Sequence, residues 1–140
     1  MQNGNLDIAG IKTLVDGFVS NTIRQRSAFL DIEKTIREAM AVISAAPLSA
    51  DQVATLAAFI AKNETHLGLT GLQMEMKAKA NVAAIETSAR TITGSQGRFA
   101  QRQIERMRDQ LDAVQGDITR LRDELLVMRK RLLEPDGWDA

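Results

Sequence analysis

The sequence contains no cysteine and no tyrosine, and aromatic residues make up only 4% of it. The absence of cysteine excludes disulfides, thiolate zinc sites and a cysteine nucleophile. A core with so few rings has to be built from aliphatic side chains, which suits long packed helices. Only two prolines occur, Pro47 and Pro135, and neither interrupts a periodic stretch. These absences together favour an extended helical fold.

Neither sign of charge is in excess, because 18 basic residues balance 18 acidic residues. A net charge of zero gives no long-range attraction to nucleic acid or to an anionic membrane. The first residues contain no basic region typical of an export signal. No apolar run approaches the ~20 residues that a membrane helix needs. We therefore expect a protein of the cytoplasm, or one incorporated in a particle, that has no membrane partner.

The sequence predicts three helices and no strand. Runs of alternating apolar and polar residues are missing, whereas apolar residues recur every three or four positions along most of the chain. The first helix is expected to begin near Asn5 and to end at a break near 45–48. Ser49 and Gln52 have the spacing of a capping box at the start of the second helix. Gly94 is expected to end that helix, and Ser95 is the expected N-cap of the third.

One segment inside the second helix conflicts with helix formation. Residues 65–71 include Gly68 and Gly71, and each glycine costs ~1 kcal/mol relative to alanine in a helix interior. The sequence therefore predicts a kink or a short loop at this point.

The third helix carries the most regular pattern in the chain. Apolar residues alternate in steps of three and four, as the a and d positions of a coiled coil do. Four successive heptads keep this register, and we refer to the residues that form it as the seam. The seam consists of Ile104, Met107, Leu111, Val114, Ile118, Leu121, Leu125, Met128 and Leu132.

The residues beside the seam favour a parallel pairing of two or three copies. In a parallel coil, Asp117 of one chain faces Arg122 of the next, and Glu124 faces Arg129. An antiparallel self-pair would instead set arginines against each other. Such exposed ion pairs select orientation more than they stabilise, since each is worth ~0.2–1 kcal/mol. The sequence thus predicts self-association through the seam, as a parallel dimer or trimer.

The resulting expectation is an all-α chain in three parts. Residues 1–93 would form an antiparallel helical hairpin, residues 94–134 a parallel coiled-coil helix, and residues 135–140 a tail. The alternative is an elongated three-helix bundle in which the third helix packs on its own chain. A bundle helix is normally apolar at a third heptad position as well, and the narrow seam argues against that arrangement.

Few side chains suggest chemistry. His66 is the single histidine, so neither a two-histidine zinc motif nor a catalytic triad can be assembled, and no metal or cofactor is predicted. Thr22 and Gln25 fall on the apolar stripe of the first helix. Either they form a buried polar layer there, or the buried side of the helix is centred on other residues and both are exposed. Trp138, in the polar tail, either packs against the end of the third helix beside Leu132 and Leu133 or anchors a partner protein.

These features favour a structural or assembly protein over an enzyme. The expected function is that of a helical homo-oligomer in a larger particle, fibre or complex, of the kind found in phage particles and bacterial assemblies. The alternative is a regulatory binding module, an inhibitor or adaptor, that acts on a larger protein. A dimeric nucleic-acid binder ranks below both, because acidic residues interleave with the arginines of the third helix and no aromatic residues accompany them.

Overall fold

A computed structural model describes residues 6–45, 47–90 and 94–133, without the side chain of Ser95. Three helices account for nearly all of these residues: α1 (Ile8–Ala45), α2 (Ala50–Ala89) and α3 (Ser95–Leu133). No strand occurs in the described ranges. The prediction of an all-α fold is confirmed.

The chain divides into two compact units, each of which takes one stretch from every helix. The first unit comprises Met1–Gln25 and Gly71–Gln115, and the second comprises Arg26–Thr70 and Gly116–Ala140. Within each unit the α3 stretch packs against α1 and α2. The fold is therefore the three-helix bundle that the sequence offered as its alternative, and α3 does not stand apart from a hairpin formed by the other two helices.

The core of the first unit is mainly aliphatic, as the scarcity of aromatic residues predicted. All three helices contribute side chains to it at helical spacing. The core includes Ile11, Val15 and Phe18 from α1, Met74, Ala78 and Ile85 from α2, and Ala100, Ile104, Met107 and Val114 from α3.

The second unit repeats this construction with different residues. Its α3 stretch supplies one buried side chain every three or four residues, which is the continuation of the seam. The core includes Phe29, Ile36 and Ala39 from α1, Ile60 and Leu67 from α2, and Ile118, Leu121, Leu125, Met128 and Leu132 from α3.

The start of α2 is fixed by the capping box that the sequence predicted. The backbone N–H of Gln52 donates to Ser49 Oγ at 3.1 Å, and the backbone N–H of Ser49 donates to Gln52 Oε1 at 2.8 Å. Two backbone donors at the helix end are satisfied in this way. The connection between α1 and α2 is correspondingly short.

The other two helix starts differ from the prediction by one or two residues. Asp7 caps α1, since its Oδ1 accepts from the Gly10 N–H at 2.7 Å, whereas Asn5 lies outside the described residues. At α3 the carbonyl of Gly94 accepts the first helical hydrogen bond, from Arg98 N–H at 3.2 Å. Gly94 has φ of 67°, a left-handed conformation that glycine adopts without strain. It takes the N-cap position expected for Ser95.

Residues 65–71 were predicted to form a kink or a short loop. They are helical, and the loop is absent because α2 runs unbroken from Ala50 to Ala89. Leu67 and Thr70 are both buried, and their burial offsets the low helix propensity of Gly68 and Gly71. In the first unit, the carbonyl of Gly71 also accepts a hydrogen bond from Gln115 Nε2 at 3.0 Å.

We expect replacement of the α2 cap to lower stability measurably. Ser49→Ala removes the side-chain acceptor of the capping box, and the free energy of unfolding should fall by about 1 kcal/mol. Urea unfolding followed by circular dichroism measures the change. The control is Ser44→Ala, because Ser44 is exposed in the last turn of α1. Equal stabilities of the two variants would contradict the capping role.

Candidate interaction surfaces

The seam of α3 lies inside the chain that carries it. Eight of its nine residues are buried and the ninth, Leu111, is half-buried. Met107, Val114, Leu121, Leu125 and Met128 are completely inaccessible to solvent. The side chains predicted to contact a second copy are therefore in contact with α1 and α2 of the same chain.

Two charged residues predicted to pair between chains have partners within the chain. In the second unit, Arg26 Nε donates to Asp117 Oδ2 at 2.7 Å. This hydrogen bond raises the pKa of Arg26 above its ordinary value. Arg129 makes two hydrogen bonds to Glu64, one of them from Nη1 to Oε2 at 2.9 Å. Both pairs link α3 to another helix of the bundle.

The other two charged residues of that prediction, Glu124 and Arg122, are placed differently. Glu124 lies beside Arg120, with 3.8 Å between Oε2 and Nη1, and this buried oxygen accepts no hydrogen bond from the described residues. Arg122 is exposed and forms no ion pair with the described part of the chain. Parallel pairing between chains stays a prediction, and the intrachain partners of Asp117 and Arg129 argue against it.

In the first unit, Asp16 is held by two cations. Lys12 Nζ lies 2.7 Å from its Oδ2 on the same helix, and Arg106 Nη1 lies 2.8 Å from its Oδ1 across from α3. The hydrogen bond from Lys12, followed by that from Arg106, lowers the pKa of the Asp16 carboxyl. The contribution of these pairs to stability is therefore present at neutral pH and is lost as the pH falls through the lowered pKa.

The titration of Asp16 tests this arrangement. We expect Lys12→Gln to raise the pKa of Asp16 more than Arg106→Gln does, because the Lys12 hydrogen bond has the larger effect. Carboxyl-carbon chemical shifts recorded against pH measure both values. Lys77→Gln, which changes an exposed lysine of α2 in the same unit, is the control and should leave the titration unchanged. A pKa of Asp16 at the ordinary aspartate value would contradict the ion pairs.

Polar residues do enter the core of the first unit. Thr22 is fully buried and its hydroxyl donates to the Phe18 carbonyl at 2.9 Å, so its own helix satisfies it. Its predicted companion Gln25 is half-buried.

Two asparagine–methionine contacts in the same unit were not predicted from the sequence. Asn81 Nδ2 lies 3.6 Å from Met107 Sδ, and Asn21 Nδ2 lies 3.4 Å from Met74 Sδ. A step of three followed by a step of four leads from Ala78 to Ile85 through Asn81, whereas the reverse order passes through Val82. The spacing allows both positions, and the apolar Val82 is the natural choice from sequence.

The described residues considered for catalysis or metal binding are not brought together into a site by the fold. His66 is exposed. Among the described residues, no group of three or more histidine, aspartate or glutamate side chains is arranged to hold a metal ion. None of the described helices has the combination of length and mean hydropathy required for crossing a bilayer. Trp138 lies outside the described residues.

The bundle leaves several large apolar side chains on its otherwise mostly polar surface. Among the described residues, nine large hydrophobic side chains are between 45% and 62% exposed. They belong to all three helices and to both units: Ile23, Leu72 and Met76 in the first, and Leu30, Val42, Leu69, Leu126, Val127 and Leu133 in the second.

Comparison with known proteins adds no relative. No family model, no curated protein and no solved structure matches this chain.

Two alanine variants of α3 distinguish its core side from its outer side. Leu121 is 0% exposed and Val127 is 46% exposed. Leu121→Ala should lower the free energy of unfolding by about 2–5 kcal/mol through the cavity it leaves. Val127→Ala is the control, with an expected change within about 0.5 kcal/mol. Urea unfolding gives both values, and equal losses would contradict the assignment of the two sides.

Proposed function

We propose that this chain is a non-enzymatic structural protein that assembles with further copies of itself in a larger particle, fibre or complex. The observation that supports this proposal is the set of nine large apolar side chains that remain exposed after the three helices have covered one another. Scattered exposed apolar residues are normal, whereas rows of them on one helix face are typical of contact surfaces. A role in phage or bacterial assemblies is part of the proposal on class-level analogy alone.

The contact surface we propose lies on α2 in the first unit. Leu72 and Met76 are 53% and 61% exposed, and Ala80 and Ala83 are exposed on the same side of the helix. We call these four residues the α2 outer row. Their spacing of four, four and three residues keeps them in line on a helix.

We propose that the α2 outer row contacts the same row of a second copy. The two small alanine side chains leave room for a neighbouring helix, while Leu72 and Met76 supply apolar area. The one lysine close to the row, Lys79, is already paired with Glu75 at 3.2 Å. A net charge of zero gives no overall repulsion between copies. A surface that contacts its own copy in this way produces a closed twofold dimer.

Assembly through outer side chains takes the place of assembly through the seam. A parallel dimer or trimer through α3 would require the seam residues to leave the core of their own chain. Removing even one such side chain from a core costs about 2–5 kcal/mol. Contacts between outer rows require no such opening.

The alternative function is a regulatory binding module that offers the same row to a larger protein. The burial of eight of the nine seam residues favours this alternative specifically, because a chain that folds without a second copy does not depend on assembly for its core. The mass of the protein in solution discriminates between the two functions.

Light scattering across a hundredfold range of concentration tests the proposal. The wild-type mass should rise from one chain toward two. Leu72→Gln combined with Met76→Gln should weaken association at least tenfold, whereas Lys77→Gln, on another side of α2, should leave it unchanged. A tenfold change corresponds to about 1.4 kcal/mol of binding free energy. A wild-type mass of one chain throughout would contradict self-assembly and leave the binding module.

A further inference from the structure

In the second unit, α3 exposes an apolar face on the side away from the seam. Leu126 and Leu133 are 45% and 56% exposed, and their seven-residue spacing puts them on one side of the helix. Leu126 also lines a shallow groove between α3 and α2. The other residues that line this groove are Glu64, Thr119, Arg122 and Asp123. We call Leu126, Leu133 and these groove residues the α3 outer face.

Uncompensated charge on and beside this face is mainly positive. Arg122 and Lys130 are exposed, and neither forms an ion pair with a described residue. Lys130 stands between Leu126 and Leu133 in the same helix face. Two acidic residues line the groove. The carboxylate of Glu64 forms an ion pair with Arg129, whereas Asp123 forms no ion pair with a described residue. The face therefore suits a ligand that is both apolar and acidic.

The segment that follows α3 has this composition. Glu134–Ala140 contains three acidic residues, no basic residue and the single tryptophan of the chain. Residues 1–133 hold all 18 basic residues but only 15 of the 18 acidic ones. The body of the chain thus carries a charge of +3, and the last seven residues carry −3.

The segment is also long enough to reach the face of its own chain. Trp138 follows Leu133 by five residues, which span at most ~17 Å when extended. Leu126 precedes Leu133 by seven residues of helix, a distance of ~10 Å. Pro135 and Gly137 are residue types that favour the reversal of direction this requires.

We propose that Glu134–Ala140 binds back onto the α3 outer face of its own chain. Trp138 lies between Leu126 and Leu133, and the acidic side chains of the segment lie near Arg122 and Lys130. The short tether gives the segment an effective concentration in the ~mM range. The same segment of a second copy, present at micromolar concentration, therefore competes poorly for the face.

The fluorescence of the single tryptophan tests this contact in the full chain. We expect wild-type emission to be shifted to the blue relative to a free peptide of residues 134–140 and to be independent of protein concentration. Leu126→Gln combined with Leu133→Gln should move the emission toward that of the peptide and raise acrylamide quenching severalfold. Val127→Gln, a change of an equally exposed residue on another side of α3, is the control and should change neither.

Three results would overturn the proposal. The first is wild-type emission identical to that of the free peptide, because the tryptophan would then be in water. The second is a blue shift that grows with concentration, which would place the segment on a second copy. The third is an emission equally insensitive to both sets of changes. Circular dichroism of each variant verifies that its helices are intact, so that a change in emission reports on the contact.

Discussion

The narrow apolar seam of α3 has to be removed from water, and the organisation of the chain follows from what covers it. In each unit, stretches of α1 and α2 from the same chain do so. A fully buried leucine or methionine contributes ~1.5–3 kcal/mol relative to its exposed state, and the seam supplies several of them. A second copy can reach these side chains only by opening the core. Contacts with other molecules are consequently left to the outer surfaces of the helices.

Charged residues at the edge of the core reinforce this arrangement. Arg106 pairs with Asp16 in the first unit, while Arg120 pairs with Glu33 and Arg129 with Glu64 in the second. In each pair an arginine of α3 meets an acidic residue of α1 or α2. Exposed pairs of this kind add little stability, about 0–1 kcal/mol each. Their larger effect is on specificity, because a shifted helix would bring like charges together.

The sequence predicts where the helices lie along the chain but does not predict which helices pack against one another, and the reason is physical. Periodicity and capping are local properties, so the all-α class and the box at Ser49 could be predicted from neighbouring residues. A heptad seam fits an identical helix as readily as two other helices of its own chain, and the partner of Arg129 proves to be Glu64, 65 residues away. The short loop considered at Gly68 and Gly71 does not form for the same reason, because the burial of Leu67 is a tertiary contribution that local propensity does not contain.

The most direct test of the intrachain seam uses cysteine pairs, since the natural chain has no cysteine. A short bifunctional thiol reagent is added to dilute protein, and the products are separated by mass. With Glu64→Cys and Arg129→Cys, we expect cross-linked single chains, because these side chains are paired within the second unit. With Glu124→Cys and Arg129→Cys, a parallel seam between copies would instead give cross-linked dimers. Dimers from the second pair, with no intrachain product from the first, would contradict the bundle.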